Sequence, residues 1–290
     1  MPSGPWLLAL EAKPLWGAFA FLMGLVVGSF ANVCIHRLPL GGSVVKPRSR
    51  CPGCGAPISA LDNVPLLSYL LLRGRCRSCR APISIRYPAV EAANGLMYAG
   101  VALLKGPTPD AILSMCFLTA LLVLALIDFD HHILPNVITL PGIACGILTS
   151  WLTAIPTPLG SWLSLRIALR PETLESAAAA ALGYAAVAAI TGLAWSYYKV
   201  VKKEDVEPMG QGDWKLMAML GAFRGSRGMW LAGFLGTFLG AVVGVGLVAA
   251  GKAGRRTPLP LGTFLCAGAA LELFAGAELL SWYRRLFPHI

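Results

Sequence analysis

Charged side chains are scarce: they make up 13% of the 290 residues, against roughly 25% in an ordinary globular chain. Acids are scarcer than bases, 14 Asp and Glu against 24 Lys and Arg. With 56% apolar residues and a mean hydropathy of +0.67, so little charge excludes a freely soluble protein. The solvent for this surface is lipid. A cleavable leader is also missing by pattern. Residues 1–14 carry Glu11, Lys13 and three prolines, and the apolar run that follows has no small-residue cleavage site. That run is expected to stay as a membrane helix. A net charge of +10 would suggest nucleic acid in a soluble protein. Here much of the excess lies in loops beside apolar runs, where it orients a chain in a membrane, and no nucleic-acid partner is expected.

What is abundant is apolar runs. They cover 15–35, 89–104, 111–127, 137–155, 176–198, 229–250 and 261–282, with a shorter one at 214–223 that either crosses or re-enters. The fold class expected is an all-α polytopic membrane protein of about eight crossings of about 20 residues. Residues 1–35 form the N-terminus and first helix, 36–87 a small extramembrane domain, and 88–290 a membrane core. The 36–87 segment holds nine Lys and Arg against one acid, Asp62, which places it in the cytoplasm. Its apolar stretch 64–72 is too short to span. It is expected on the membrane surface or packed on the small domain. No strong repeat is evident along the chain.

Cys51, Cys54, Cys76 and Cys79 form two C-x-x-C pairs separated by 21 residues. Paired knuckles set four thiolates at tetrahedral corners, the closed shell of a structural zinc. A small domain has little core, so a metal would supply folding energy. Two disulfides are the competing reading, and they fit poorly with a cytoplasmic, basic segment. Cys34, Cys116, Cys145 and Cys266 lie in apolar runs and read as packing residues.

The acids near apolar runs are Glu91, Asp128, Asp130, Asp213, Glu272 and Glu278. An ionisable group at the membrane is costly, so each is a functional candidate. Glu91 is expected to pair with a basic residue, and Glu272 and Glu278 to serve helix packing or the interface. Asp128 directly follows an apolar run. Asp213 closes Gly210-Gln211-Gly212-Asp213 ahead of another, with Lys215 just beyond. Gly210 and Gly212 permit backbone geometries other residues resist, and a carboxylate is favoured at a helix start. Two spans separate the aspartates, so both face the cytoplasmic side and one pocket could hold them. Paired carboxylates sharing a proton can activate water and protonate a leaving amine. Asp130 lies about 200° from Asp128 on a continued helix and would point elsewhere. The bland alternative makes Asp213 a helix cap and Asp128 an interfacial loop residue. His131 and His132 read as loop residues.

In combination these elements resemble the prepilin peptidases, the leader peptidase–methyltransferases of type IV pilus and type II secretion systems. The matching residues are Gly28-Ser29-Phe30-Ala31-Asn32-Val33 and Arg37-Leu38-Pro39, then the cysteine pairs with 62–69 between them. Arg86-Tyr87-Pro88 and Glu91, Ile127-Asp128-Phe129-Asp130, Leu134-Pro135-Asn136 and Gly210 to Leu216 follow. Asn136 departs from the pattern, since many members carry Asp after Leu-Pro.

The resemblance implies a G-x-G-D aspartic membrane endopeptidase using Asp128 and Asp213. Its substrates would be prepilins or pseudopilins, and its place the bacterial inner membrane with lipid around it. The resemblance alone also implies S-adenosylmethionine-dependent methylation of the new N-terminus. No Rossmann fingerprint accompanies it, because Gly210 to Asp213 lacks the third glycine and a preceding strand. Two rival functions use the same residues. One is a transporter or channel with the aspartates as proton or cation carriers; the other is an assembly scaffold docking through the zinc domain.

Overall fold

In lipid every backbone N–H and C=O must be satisfied within the chain, which is why the apolar runs become helices. The computed structural model describes residues 5–153, 171–197, 199, 210–252, 254 and 258–286. Among them are eight α-helices: α1 (Pro5–Arg37), α2 (Leu67–Leu71), α3 (Arg86–Lys105), α4 (Pro109–His131), α5 (Asn136–Thr153), α6 (Pro171–Tyr197), α7 (Gln211–Ala249) and α8 (Leu261–Leu286). Five stretches are long and apolar enough to cross a membrane, Lys13–Leu40, Pro109–His131, Leu174–Leu193, Gln211–Ala249 and Leu261–Leu286. The ends of two expected runs, 154–155 and 198, lie outside the described residues. The chain forms two compact units, Met1–Val123 and Leu124–Ile290.

In the first unit α1 and α3 pack antiparallel through glycines. A Cβ on Gly24 would lie 2.8 Å from Gly95 Cα, and one on Gly28 2.8 Å from Glu91 Cα. Such close backbones are how helices associate where lipid removes the hydrophobic drive. Polar ties reinforce the pair: Asn94 Nδ2 donates to Gly24 O at 2.8 Å and Asn32 Nδ2 to Tyr87 O at 3.0 Å. Glu91 is buried, and its expected basic partner gives way to a backbone one. Its Oε2 accepts the Leu66 N–H at 2.9 Å. In the stretch 64–72, Leu67, Leu70 and Leu71 of α2 are exposed, while Tyr69 is half-buried and packs over Gly74, where a Cβ would lie 3.0 Å from its hydroxyl.

In the second unit α7 is broken at Gly225, whose φ of 66° and ψ of −177° are not helical. The break reverses the chain. Residues 217 and 233 would stand about 24 Å apart on a straight helix, yet a Cβ on Gly233 would lie 3.2 Å from Met217 Cε. α7 is therefore a tight hairpin of two arms with Gly225 at its tip. The first arm includes the short run 214–223; the second packs antiparallel on α8. A Cβ on Gly236 would meet Leu265 Cα at 2.7 Å, and one on Gly228 would meet Glu272 Oε1 at 3.0 Å. α5 and α6 pack against the first arm through Ala180, Ala218, Ala222, Ile143 and Ile147.

Candidate active site and metal centre

The metal centre builds from two short segments of like sequence, 50–59 (RCPGCGAPIS) and 75–84 (RCRSCRAPIS). This is a repeat that reading the chain at the scale of whole helices passes over. The segments fold alike. Arg50 bridges Pro57 and Arg75 bridges Pro82. Cys51 N–H donates to Ala56 O and Cys76 N–H to Ala81 O, both at 2.9 Å. All four Sγ atoms lie within 4.8 Å of one another. Cys51 and Cys79 Sγ are 3.7 Å apart, close to the roughly 3.8 Å separation that tetrahedral metal–sulfur bonds of about 2.3 Å impose. The cysteines are free thiols here. The backbone N–H groups of Cys79 and then Ser78 bring the Cys76 thiol down to about 6. The donor set fits a metal. Between the segments, Arg77 Nε donates to both Asp62 oxygens at 3.0 and 2.9 Å, holding that carboxyl below the usual range.

The two aspartates come together at one end of the second unit. α4 continues through His131, so Asp128 and Asp130 diverge as helix geometry requires. Asp128 is buried at 6% exposure, while Phe129 and Asp130 are exposed. One Asp128 oxygen, Oδ2, accepts the backbone N–H of Thr263 at 2.7 Å and lies 3.1 Å from the Thr263 hydroxyl. Thr263 sits in the first turn of α8, where backbone N–H groups have no partner within the helix. The start of α8 thus serves as a ready anion site for Asp128.

Asp213 lies in the first turn of α7, with Gly210 as N-cap in extended conformation, and is 9% exposed. Its N–H closes onto Gly210 O at 3.1 Å. Gly212 is needed for space: a Cβ there would fall 2.9 Å from Leu134 Cβ. Leu134 also crowds Gly262, where a Cβ would lie 3.0 Å from both Leu134 Cδ1 and Asp128 Cγ. Through Leu134 the α4–α5 loop, the start of α7 and the start of α8 converge, close enough for the Asp128 charge to act on Asp213. Lys215 Nζ donates to Asn136 Oδ1 at 2.8 Å, tying the start of α5 to the start of α7. On the far side of that turn, Trp214 Nε1 donates to Thr191 Oγ1 at 3.2 Å.

Two buried carboxylates thus lie within electrostatic reach of each other, Asp213 in the first turn of α7 and Asp128 at the end of α4 against the start of α8. His131, expected in a loop, is instead the last residue of α4, and His132 follows it; both are exposed and join no metal cluster among the described residues. Sequence reasoning missed Thr263 and Gly262. The one signal available was Pro260 just ahead of them, a mark of a helix start. It read Glu272 as serving helix packing or the interface. In the structure Glu272 is a buried carboxylate paired with Arg224.

The comparisons with known proteins fall on these same elements. Residues 22–104 match the bacterial peptidase A24 N-terminal domain, and residues 115–245 match the type IV leader peptidase family. A prepilin leader peptidase/N-methyltransferase of Myxococcus xanthus is 41% identical over 84% of this chain and 67% of its own. One of Aeromonas hydrophila is 33% identical over 93% of this chain and 94% of its own. One of Burkholderia pseudomallei is 36% identical over 94% and 90%. No solved structure matches the chain. The cysteine knuckles fall inside one matched region, and both Asp128 and Asp213 fall inside the other. With relatives this similar over nearly its whole length, the chain belongs to the type IV leader peptidase family.

Proposed function

We propose that this protein cleaves the leader peptide of type IV prepilins and pseudopilins at the cytoplasmic face of the bacterial inner membrane. Asp128 and Asp213 are the acid–base pair. The observation that carries this is the convergence of two buried carboxylates from distant helix ends, in a family named for leader cleavage. One ionised carboxylate accepts a proton from water as the water oxygen attacks the scissile carbonyl carbon. The protonated partner donates to the departing amine as the C–N bond breaks. The pair titrates jointly, so the two roles belong to the dyad rather than to fixed residues. Gly210 leaves room for a substrate backbone, Gly212 lets Leu134 pack against the first turn of α7, and Lys215 holds the start of α5 beside the site. The transporter alternative finds no support in a family and relatives named for peptidase activity.

The test is mass spectrometry of a co-expressed prepilin. Asp128→Asn and Asp213→Asn each lose at least about a hundredfold in cleavage, the scale of general acid–base catalysis. Asp130→Asn costs far less. Near wild-type cleavage by both Asp128→Asn and Asp213→Asn would end the reading.

The segment 36–87, between the first helix and the 88–290 core, is a zinc domain held by Cys51, Cys54, Cys76 and Cys79. Zinc bound there supplies folding energy and no reaction step. Elemental analysis of the purified protein finds about one zinc per chain. Less than half of that, with all four thiols open to alkylation, refutes it. The same enzyme methylates the new N-terminus, as the relatives' names indicate. A sulfonium methyl donor is a cation. The cavity beside Arg37, Arg48, Ser49, Ser59 and Asn63 is lined by two cations and no acid. It does not fit that donor, and no step of methyl transfer is placed there.

A further inference from the structure

We infer that the Arg224–Glu272 pair is an axial stop that sets the height of Asp213 against Asp128. The inference rests on the proposed role of the two aspartates. The first arm of α7 carries Asp213 at its start and Arg224 at its end, just before the reversal at Gly225. Its face toward α6 is smooth, while Met219 keys into Gly142 of α5 and the Met217 backbone lies against Gly183 of α6. Gly221, Ala218 and Ala222 face Ala179 and Ala180 of α6, and a Cβ on Gly146 of α5 would lie 2.7 Å from Ala222 Cβ. Small side chains allow close approach but interlock little along the axis, because each contact is shallow and easily replaced by the next. The arm is also short. Residues 211–224 span about 21 Å, less than the roughly 30 Å of a hydrocarbon core. Its far end, where Ser226 meets Glu175, lies by the start of α6.

Lys215 on Asn136 and Trp214 on Thr191 hold the near end of the arm, and Arg224 supplies the constraint at its far end. Its Nε donates to Glu272 Oε2 at 2.6 Å and its Nη2 to Oε1 at 3.0 Å. Two parallel bonds from a planar guanidinium fix both distance and direction, as a single ammonium contact does not. The acceptor is itself held. Glu272 is 6% exposed, and a Cβ on Gly228 or Gly276 would lie 3.0 or 3.1 Å from its Oε1. Ionisable groups at this depth are costly, which argues for a function, and a buried pair alone is weak evidence for stability.

The partner helix gives the stop its meaning. α8 carries Glu272 and also Thr263, whose N–H binds Asp128. The nine positions between them span about 13.5 Å of one helix. α8 thus acts as a ruler, with one end on Asp128 and the other on the arm that bears Asp213. A displacement of about 1 Å at a reacting group can cost about a hundredfold in rate. Arg224 and Glu272 are positioning residues acting through α7 and α8.

The test replaces the pair by apolar side chains of similar length, Arg224→Met with Glu272→Leu, which leaves no lone charge. Cleavage is measured as kcat and KM over a range of pH, beside thermal unfolding in detergent. The expected result is a folded protein with KM within about twofold of wild type and kcat down at least about tenfold. The two limbs of its pH–rate profile move, because the mutual effect of the carboxylates depends on their separation. Arg224→Lys, which keeps the charge but loses the fork, shows the same changes in smaller measure and decides the question should the double variant misfold. Wild-type kcat with unmoved limbs, or lower unfolding temperature with unchanged kcat per folded enzyme, overturns the inference. Asp213→Asn is run in parallel. An inactive Asp213→Asn beside a normal double variant removes only the axial stop, while an active Asp213→Asn removes the dyad and the stop together.

Discussion

Gly55 and Arg80 hold the same place in the two cysteine knuckles, and both are left-handed, with φ of 70° and 61°. The first N–H donates to Cys51 O at 2.8 Å and the second to Cys76 O at 3.0 Å. The turn thus demands a conformation that glycine adopts freely and arginine does not. Arg80→Gly is expected to stabilise the 36–87 segment by about 0.5–1 kcal/mol, the strain relieved less the greater freedom of an unfolded glycine. Urea unfolding of the full chain in detergent, followed by thiol accessibility, reads it; a loss of stability would show that the Arg80 side chain holds more than the turn. At this scale the sequence was legible where a residue type was rare. Acids are few enough that Asp128 and Asp213 stood out, and helix geometry separated Asp128 from Asp130. Thr263 was not legible, because a threonine after a proline-rich turn carries no mark of the carboxylate it meets from 135 residues away.

The helices themselves were plain in the sequence, since long apolar runs leave the backbone one way to satisfy itself. α3, α4 and α8 extend their runs by only a few residues at each end. Direction was less plain. The runs 214–223 and 229–250 were separate in the sequence, parted by Arg224-Gly225-Ser226-Arg227-Gly228. Nothing in that spacing distinguishes a surface loop from a reversal inside the fold. The contact of Met217 with Gly233 shows that the chain turns back between them, at a tip where Arg227 is exposed. Cysteines placed by Met217→Cys and Gly233→Cys should therefore form a disulfide or join through a short bifunctional reagent. A control pair of Met217→Cys with Val245→Cys should not. Cross-linking only in the control pair would mean that α7 does not turn back at Gly225.

The whole molecule must place its helix ends on particular sides of a membrane, and the second unit contains its own consistency argument. Asp128 at the end of α4, Asn136 at the start of α5, Asp213 at the start of α7 and Thr263 at the start of α8 all meet at one end. Arg224, Glu175, Ser226 and Glu272 meet at the other. Each helix of this unit therefore enters or leaves at an end fixed by contacts, whatever its hydropathy. Counting both arms of α7, and α1 and α3 from the first unit, gives the eight crossings expected from the sequence, a count that remains a proposal. The proposed cytoplasmic placement of the aspartate end follows from the basic excess of 36–87 and of the 250–260 loop. A membrane-impermeant thiol reagent applied to intact cells should then fail to label cysteines introduced near 45 or 130, or near 205, which lies outside the described residues. The same sites should label readily once the membrane is opened, which separates a protected side from a buried position. Labelling near 130 in intact cells would place Asp128 on the outer face, where a leader still held in the cytoplasm could not reach it. Because Asp213 and the start of α8 share that end, the result would move the whole site with it.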